Sequence, residues 1–146
     1  MRAIVQRVRS ATVTVSGSIV GKIEKGLMVL VAITEKDTDE TIKWIGNKLA
    51  NLRIFPDEND KMNLSVQDVK GNIMIVSNFT LYADVNRGFR PSFTESAHPS
   101  VSEPLYNKLI EFMRTNYSFR TESGIFGAMM DIELINDGPV TILIEK

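Results

Sequence analysis

A proline in the middle of a strand pattern constrains this chain more than any other feature. Met130, Ile132 and Leu134 alternate with Asp131 and Glu133, the period-two signature of a half-buried strand. Val140-Thr141-Ile142-Leu143-Ile144 reads as strand again, and Asn136-Asp137-Gly138-Pro139 lies between the two. Proline has no N–H to give to a ladder, so Pro139 must sit at a bulge, an edge or a break. Gly138 admits backbone angles closed to other residues, and a Gly-Pro bond is one that can be cis. Clusters of Asn, Asp, Gly and Pro most often make hairpin turns, which is the plain reading here. The sharper alternative is rigid backbone presented to a ligand.

With 146 residues the chain reads as one domain, 1–146, long enough to bury roughly two-thirds of its unfolded surface. The absence of cysteine excludes disulfides, thiolate nucleophiles and thiolate metal sites. Arg2, Arg7 and Arg9 interrupt any apolar leader, and no apolar run is long enough to span a bilayer, so a cytoplasmic protein is expected. A formal net charge of −1 argues against broad electrostatic binding of nucleic acid, which needs clustered Lys and Arg. An RNA partner would be touched over a small region, such as an end.

Along the chain, residues 3–9 and 11–15 read as strands, and Ser16-Gly17-Ser18 as a turn into a third strand over 19–23. Leu27-Met28-Val29-Leu30-Val31-Ala32-Ile33 is a continuous apolar run that fits a strand buried on both faces. Asp37, with Glu40 three residues on, offers a capping-box start to a helix whose stripe is Ile42, Ile45, Leu49 and Leu52, with Trp44 as packing. The acidic cluster at 56–60 is a solvated turn, lacking the ordered oxygen ligands of a calcium loop. A strand is expected over 72–79, then a long loop over 84–99. A second helix should begin near Ser100 or Ser102, with Pro104 in its first turn and Leu105, Leu109, Phe112 and Met113 buried. A short strand over 119–121 precedes the final two-strand unit. Many strands, two helices and no alternating strand–helix repeat favour a mixed sheet or barrel with packed helices.

Ser77-Asn78-Phe79-Thr80-Leu81-Tyr82-Ala83-Asp84 runs into Asn86-Arg87-Gly88-Phe89-Arg90-Pro91-Ser92-Phe93. With Asn136 to Thr141, this closely resembles the D-aminoacyl-tRNA deacylase (D-tyrosyl-tRNA deacylase) family. That family carries a Ser-Gln-x-Thr motif and an Asn-x-Gly-Pro-x-Thr motif, and the second is matched in full. The resemblance extends over nearly the whole chain, through the opening Met1-Arg2-Ala3-Ile4-Val5-Gln6-Arg7-Val8, Leu52-Arg53-Ile54-Phe55, Lys61-Met62-Asn63-Leu64-Ser65 and Phe126-Gly127-Ala128. Asn78 departs from it, standing where the family usually has glutamine. The resemblance implies an α/β mixed fold, β-barrel-like, with antiparallel and mixed sheets, two packed helices and a homodimer. It also implies hydrolysis of the ester bond of D-aminoacyl-tRNA, and of mischarged glycyl-tRNA, at the aminoacylated 3′ end. Such an enzyme releases free D-amino acid and tRNA in chiral proofreading, with no cofactor and no metal.

The residues themselves narrow the chemistry. A hydroxyl nucleophile needs a base, and the one histidine, His98, sits in a loop beside Pro99. In a regular strand Ser77 and Thr80 face opposite sides, so they pair only if the strand breaks. One histidine, no cysteine and scattered carboxylates make no zinc set. Catalysis by positioning and backbone dipoles remains, with N–H groups around Phe79 and Thr80 holding the developing oxyanion and the ribose hydroxyl helping to activate water. By position in the family pattern, Ser77, Asn78, Phe79 and Thr80 line the site. Met130, Gly138 and Pro139 shape the amino-acid pocket, the Gly-Pro bond being cis and contributed across the dimer interface. Thr141 supports that segment. Arg87 and Arg90 are candidates for phosphate contact, against the plain reading of solvated loop arginines. Asn78 is one methylene shorter than glutamine, so its hydrogen bond must be rebuilt or carried by water. Two other readings are a non-catalytic module binding the aminoacylated end of tRNA, and a synthetase-type editing domain. The second would be expected within a longer chain.

Overall fold

The computed structural model describes residues 1–146. Its centre is β1 (Arg2–Val15), a single strand where the sequence suggested two. One edge of β1 carries β2 (Ser18–Ile23) and then β3 (Gly26–Ala32), both antiparallel to it. The turn into β2 passes through Ser16 at φ 49° and Gly17 at φ 79°, the left-handed pair that a two-residue hairpin loop requires. Beyond β3 come helix α1 (Asp39–Asn51) and a two-strand ribbon, β4 (Phe55–Pro56) with β5 (Met62–Leu64). Strand β6 (Asn72–Ser77) then pairs parallel with β3, and β7 (Thr121–Ser123), two residues later than expected, pairs parallel with β6. Helix α2 (Pro99–Asn116) makes the crossover between β6 and β7. The last strand, β8 (Asp131–Glu145), lies antiparallel along the other edge of β1. The mixed six-stranded sheet is nearly closed into a barrel, with two helices packed against it.

Burial follows from this arrangement. β3 and the middle of β6, Ile73 to Val76, are apolar because each contributes to two cores. Leu27, Val29, Ile73 and Ile75 face Ile45, Leu49, Leu109 and Met113 of the helices. Met28, Met74 and Val76 face the opposite way, onto Val8, Val13 and Ile23. Met130 and Ile132 pack partly buried against this second core. No helix is long and apolar enough to cross a membrane.

Three local expectations are corrected. The cap of α1 is Thr38, whose N–H donates to Thr41 Oγ1 at 3.2 Å. Asp37 is instead nearly buried, accepting from the Met1 ammonium at 2.5 Å and from the Thr34 N–H at 2.8 Å. Neutralising a buried charge outweighs capping a helix, which other hydroxyls can do. Pro104 lies inside α2, past its first turn, because the helix starts at Pro99 with His98 as cap. The segment around Pro139 is not a hairpin turn either. Both halves of β8 run in one direction along β1, from Asp131 opposite Thr14 to Glu145 opposite Arg2.

Tyr106 ties α2 to the sheet, its hydroxyl donating to the Ile75 carbonyl at 2.8 Å in the core. Burial pushes this phenol up to about 12 from its ordinary value of 10.0. The neutral form is thus favoured in the folded state, and its contribution is complete below pH 10 and lost as pH rises toward 12. Tyr106→Phe should cost about 1 kcal/mol in urea unfolding at neutral pH. It should also flatten the fall in stability above pH 10 without abolishing it, because Tyr82 is shifted the same way.

Candidate active site

The site begins where β6 stops. The ladder to β3 extends one residue past Ser77, with Asn78 N–H donating to the Val31 carbonyl at 2.7 Å. The chain then turns into a 3-10 helix over Phe79–Tyr82 instead of continuing as strand to Phe79. Asn78 causes the turn. Its side-chain oxygen accepts from the Thr80 N–H at 3.3 Å and from the Thr80 hydroxyl, an N-cap within two residues. The C-terminal end is held by Arg2, whose guanidinium donates to the Leu81 carbonyl at 2.6 Å and covers the Tyr82 ring at 4.5 Å. A third tether comes from the loop over 84–98. Ser96 Oγ donates to the Phe79 carbonyl at 2.7 Å, and Phe93 meets Phe79 edge-on with ring centroids 5.1 Å apart.

This turn borders a cavity of about 780 Å³ whose lining is mainly apolar. Ser77, Asn78, Phe79, Thr80 and Met130 all line it, so five residues expected at the site are brought together. Phe79 remains more than half exposed, although it has a packing partner. His98 also lines the cavity, but its ring serves α2: Nδ1 lies 2.9 Å from Ser100 Oγ and 3.3 Å from the Ser100 N–H. No carboxylate bonds the ring, so the triad arrangement is not assembled. The break after Ser77 removes the periodicity argument against a Ser77–Thr80 pair. Even so, the Thr80 hydroxyl is directed to Asn78 and to no base. The chain holds no group of three or more His, Cys, Asp or Glu able to bind a metal.

Gly138, Pro139 and Thr141 are not in this cavity. Gly138 and Pro139 belong to a bulge in β8, where Arg7 of β1 stands opposite residues 137–140, and Thr141 resumes the ladder opposite Gln6. The Gly138-Pro139 peptide is cis and both residues are exposed. Asn136 closes the bulge from within: its Oδ1 accepts from Val140 N–H at 2.8 Å, and its Nδ2 donates to Val140 O and Thr141 Oγ1, each at 3.2 Å. Arg7 closes it from beneath. Its Nε donates to the Asp137 carbonyl at 3.0 Å and lies 3.2 Å from Asp137 Oδ2, while Nη1 donates to the Ile54 carbonyl at 2.6 Å. Arg87 and Arg90 stand apart from both places, on an exposed loop.

Arg7, Ser96 and Phe93 were not singled out from the sequence as site residues. A signal for Arg7 exists, because Met1, Ala3, Val5 and Arg7 share the buried face of β1. A cation on an inward face demands a partner. Ser96 and Phe93 carry no comparable sequence pattern.

The family described as D-Tyr-tRNA(Tyr) deacylase matches residues 4–145. The chain belongs to that family. A D-aminoacyl-tRNA deacylase of Thermosipho melanesiensis is 52% identical over 146 residues, covering 100% of this chain and 97% of its own. One from an Exiguobacterium species is 50% identical over 146 residues, with 100% and 99% covered. Among solved structures, a c-Myc DNA unwinding element binding protein superposes with a TM-score of 0.94 at 39% identity, covering 100% of this chain and 99% of that one. A probable eukaryotic D-amino acid tRNA deacylase shares the fold, with a TM-score of 0.82 at 20% identity over 98% of this chain and 97% of that one.

The bulge gives a direct test of Arg7. Arg7→Ala leaves the Ile54 and Asp137 carbonyls without their donor and should cost about 2–3 kcal/mol. Amide exchange at Val140 should quicken more than exchange in β3. Arg7→Lys should not restore the wild type, since an ammonium lacks the planar fork that meets both carbonyls.

Proposed function

We propose that this chain, as a member of the deacylase family, hydrolyses the ester of D-aminoacyl-tRNA at the cavity bordered by Ser77 to Thr80, releasing free D-amino acid and tRNA. The single observation that carries the reading is the family match over residues 4–145, with all four positions of the first motif on one cavity. Water attacks the ester carbonyl, helped by the neighbouring ribose hydroxyl of the terminal adenosine. The tetrahedral oxyanion is held by N–H groups at the start of the 3-10 helix. Phe79, its first residue, has no acceptor within the helix, and the Thr80 N–H is only loosely engaged at 3.3 Å. Collapse breaks the bond from the acyl carbon to the ribose oxygen. No metal or cofactor enters the scheme, and mischarged glycyl-tRNA fits it as well. The protein acts in the cytoplasm as one domain, 1–146.

Discrimination between enantiomers requires a wall on one side of the substrate α-carbon. A thousandfold preference corresponds to roughly 4 kcal/mol, more than the about 1–3 kcal/mol of one hydrophobic contact. Gly138 and Pro139 supply that wall from the second subunit of a homodimer. Three features support this reading: the bulge is exposed, it is braced from two sides, and it is absent from its own chain's cavity. The outer edge of β8 is unpaired and shows Leu134, Ile135 and Leu143 to solvent, a surface suited to a second copy. Met130 borders the amino-acid end of the cavity, Thr141 holds the bulge through Asn136, and Arg87 and Arg90 meet phosphates.

The first experiment is deacylation of D-tyrosyl-tRNA and L-tyrosyl-tRNA by the purified protein. Loss of the D-substrate with sparing of the L-substrate is expected. Binding of the charged RNA with neither hydrolysed would favour the non-catalytic module instead. Thr80→Ala should keep kcat within about tenfold, because the hydroxyl has no base. A loss of several orders of magnitude with folding intact would make Thr80 the nucleophile.

Shared sites have their own test. A Cβ on Gly138, at φ +143°, would come within 2.7 Å of Val140 Cγ2 and 2.8 Å of Val140 N, so Gly138→Ala deforms the bulge. Ala128→Trp places an indole in the cavity. Each variant alone should be inactive, and mixing them under subunit exchange should restore activity through one working site per mixed dimer. Continued inactivity of the mixture would place bulge and cavity on the same chain.

A further inference from the structure

The loop over 84–93 carries one side chain that the proposed chemistry does not use. Phe89 is exposed in full, at the tip of a segment whose residues 84–95 are all exposed. A lone surface phenylalanine would mean little. Here its setting is specific. Gly88, at φ +69°, makes the turn that raises it, and Arg87 and Arg90 flank it. Neither arginine is in an ion pair; those of this chain use the amino terminus, Arg2, Arg7, Arg9, Lys108 and Arg120. The nearby Asp84 carboxylate is engaged by Asn86 through its N–H at 2.9 Å and its Nδ2 at 2.6 Å.

The base of the loop is fixed, and it is fixed at the cavity. Asp84 and Ser92 exchange backbone hydrogen bonds at 2.7 and 2.9 Å, and Phe93 packs against Phe79 while lining the cavity wall. Phe89 is four residues from Phe93, so its Cα lies within about 14 Å of that wall. An exposed aromatic ring between two unpaired arginines matches a strand of unpaired nucleotides, whose bases offer π faces and whose phosphates are anionic. With a net charge of −1, the protein can hold RNA only through a few such contacts close to the reacting end.

We infer that Phe89 stacks on an unpaired base of the substrate RNA shortly before the aminoacylated nucleotide, with Arg87 and Arg90 on the adjoining phosphates. The inference rests on the proposed placement of the ester at the Phe79–Thr80 turn. It adds an RNA subsite outside that cavity and gives Phe89 a role separate from the phosphate contacts.

The test compares D-tyrosyl-tRNA with D-tyrosyl-adenosine, which has the ester and the terminal nucleoside but no upstream nucleotides. For Phe89→Ala, the ratio of kcat/KM on the RNA to that on the nucleoside should fall at least about fivefold, mainly through KM. Phe89→Trp should restore the ratio and Phe89→Leu should not, because leucine is apolar without a π face. Arg87→Gln and Arg90→Gln should each reduce the salt dependence of KM on the RNA, by a slope of about 0.7 per phosphate contact, whereas Phe89→Ala should leave that slope in place. An unaltered ratio in Phe89→Ala, as a protein-docking or subunit-contact role would give, overturns the inference, and so does full rescue by leucine. Failure of the site placement itself looks different: Ala128→Trp would then leave hydrolysis of both substrates intact.

Discussion

The exposed bulge of β8 rests on one buried cation. Arg7 has taken its place on the inward face of β1, and removing a guanidinium from water is tolerable only if its donors are satisfied. The Ile54 carbonyl, the Asp137 carbonyl and the Asp137 carboxylate satisfy them. That need fixes the segment before β4, β1 and the β8 bulge relative to one another. It also explains why four residues of β8 can stand opposite one of β1 without closing into the ladder. The Asn136 amide repeats the device on a smaller scale, replacing the ladder bonds that Pro139 cannot make.

The cavity is built by a different principle. β3 and β6 are sandwiched between two cores, which leaves them little freedom to shift, and the 3-10 helix begins one residue beyond the end of their ladder. The start of the turn is therefore as firmly placed as the strands. Asn78 then caps it locally, Arg2 holds its far end and Ser96 its first carbonyl. Such bracing suits the proposed use of main-chain N–H groups, since donors that must rearrange lose much of their advantage.

How far the sequence discloses this varies with the range of the forces involved. The two-sided burial of β3, the turn at Ser16-Gly17 and the stripes of both helices are local patterns, and they are legible. So is the grouping of Ser77 to Thr80, which line one cavity. The pattern extends β6 two residues past its true end, because a side-chain cap by Asn78 competes with extension and leaves no mark on hydrophobic periodicity. Asp37 looked like a cap because its partner, the Met1 ammonium, lies far away in sequence. The same holds for β8: a Gly-Pro cluster reads as a reversal until β1 is known to run beneath both halves. The arginine and serine that brace the site act through carbonyls, which every residue possesses, so no pattern announces them.

The pairing of β1 with β8 also bears on how the protein is made. The first strand finishes at Val15, yet the strand covering its second edge starts only at Asp131. At ribosomal rates of about 5–20 residues per second, that edge waits on the order of 6–25 seconds for its partner to be synthesised. During this time β1 can pair along one edge with β2 and β3 as a long hairpin, but it shows an uncovered ladder edge to neighbouring nascent chains. Contacts between opposite ends of the chain also place the molecule among slow-folding topologies. The charges of Arg2 and Arg9, partly or fully exposed in the finished fold, stand along that edge and oppose its pairing with another copy in the interval.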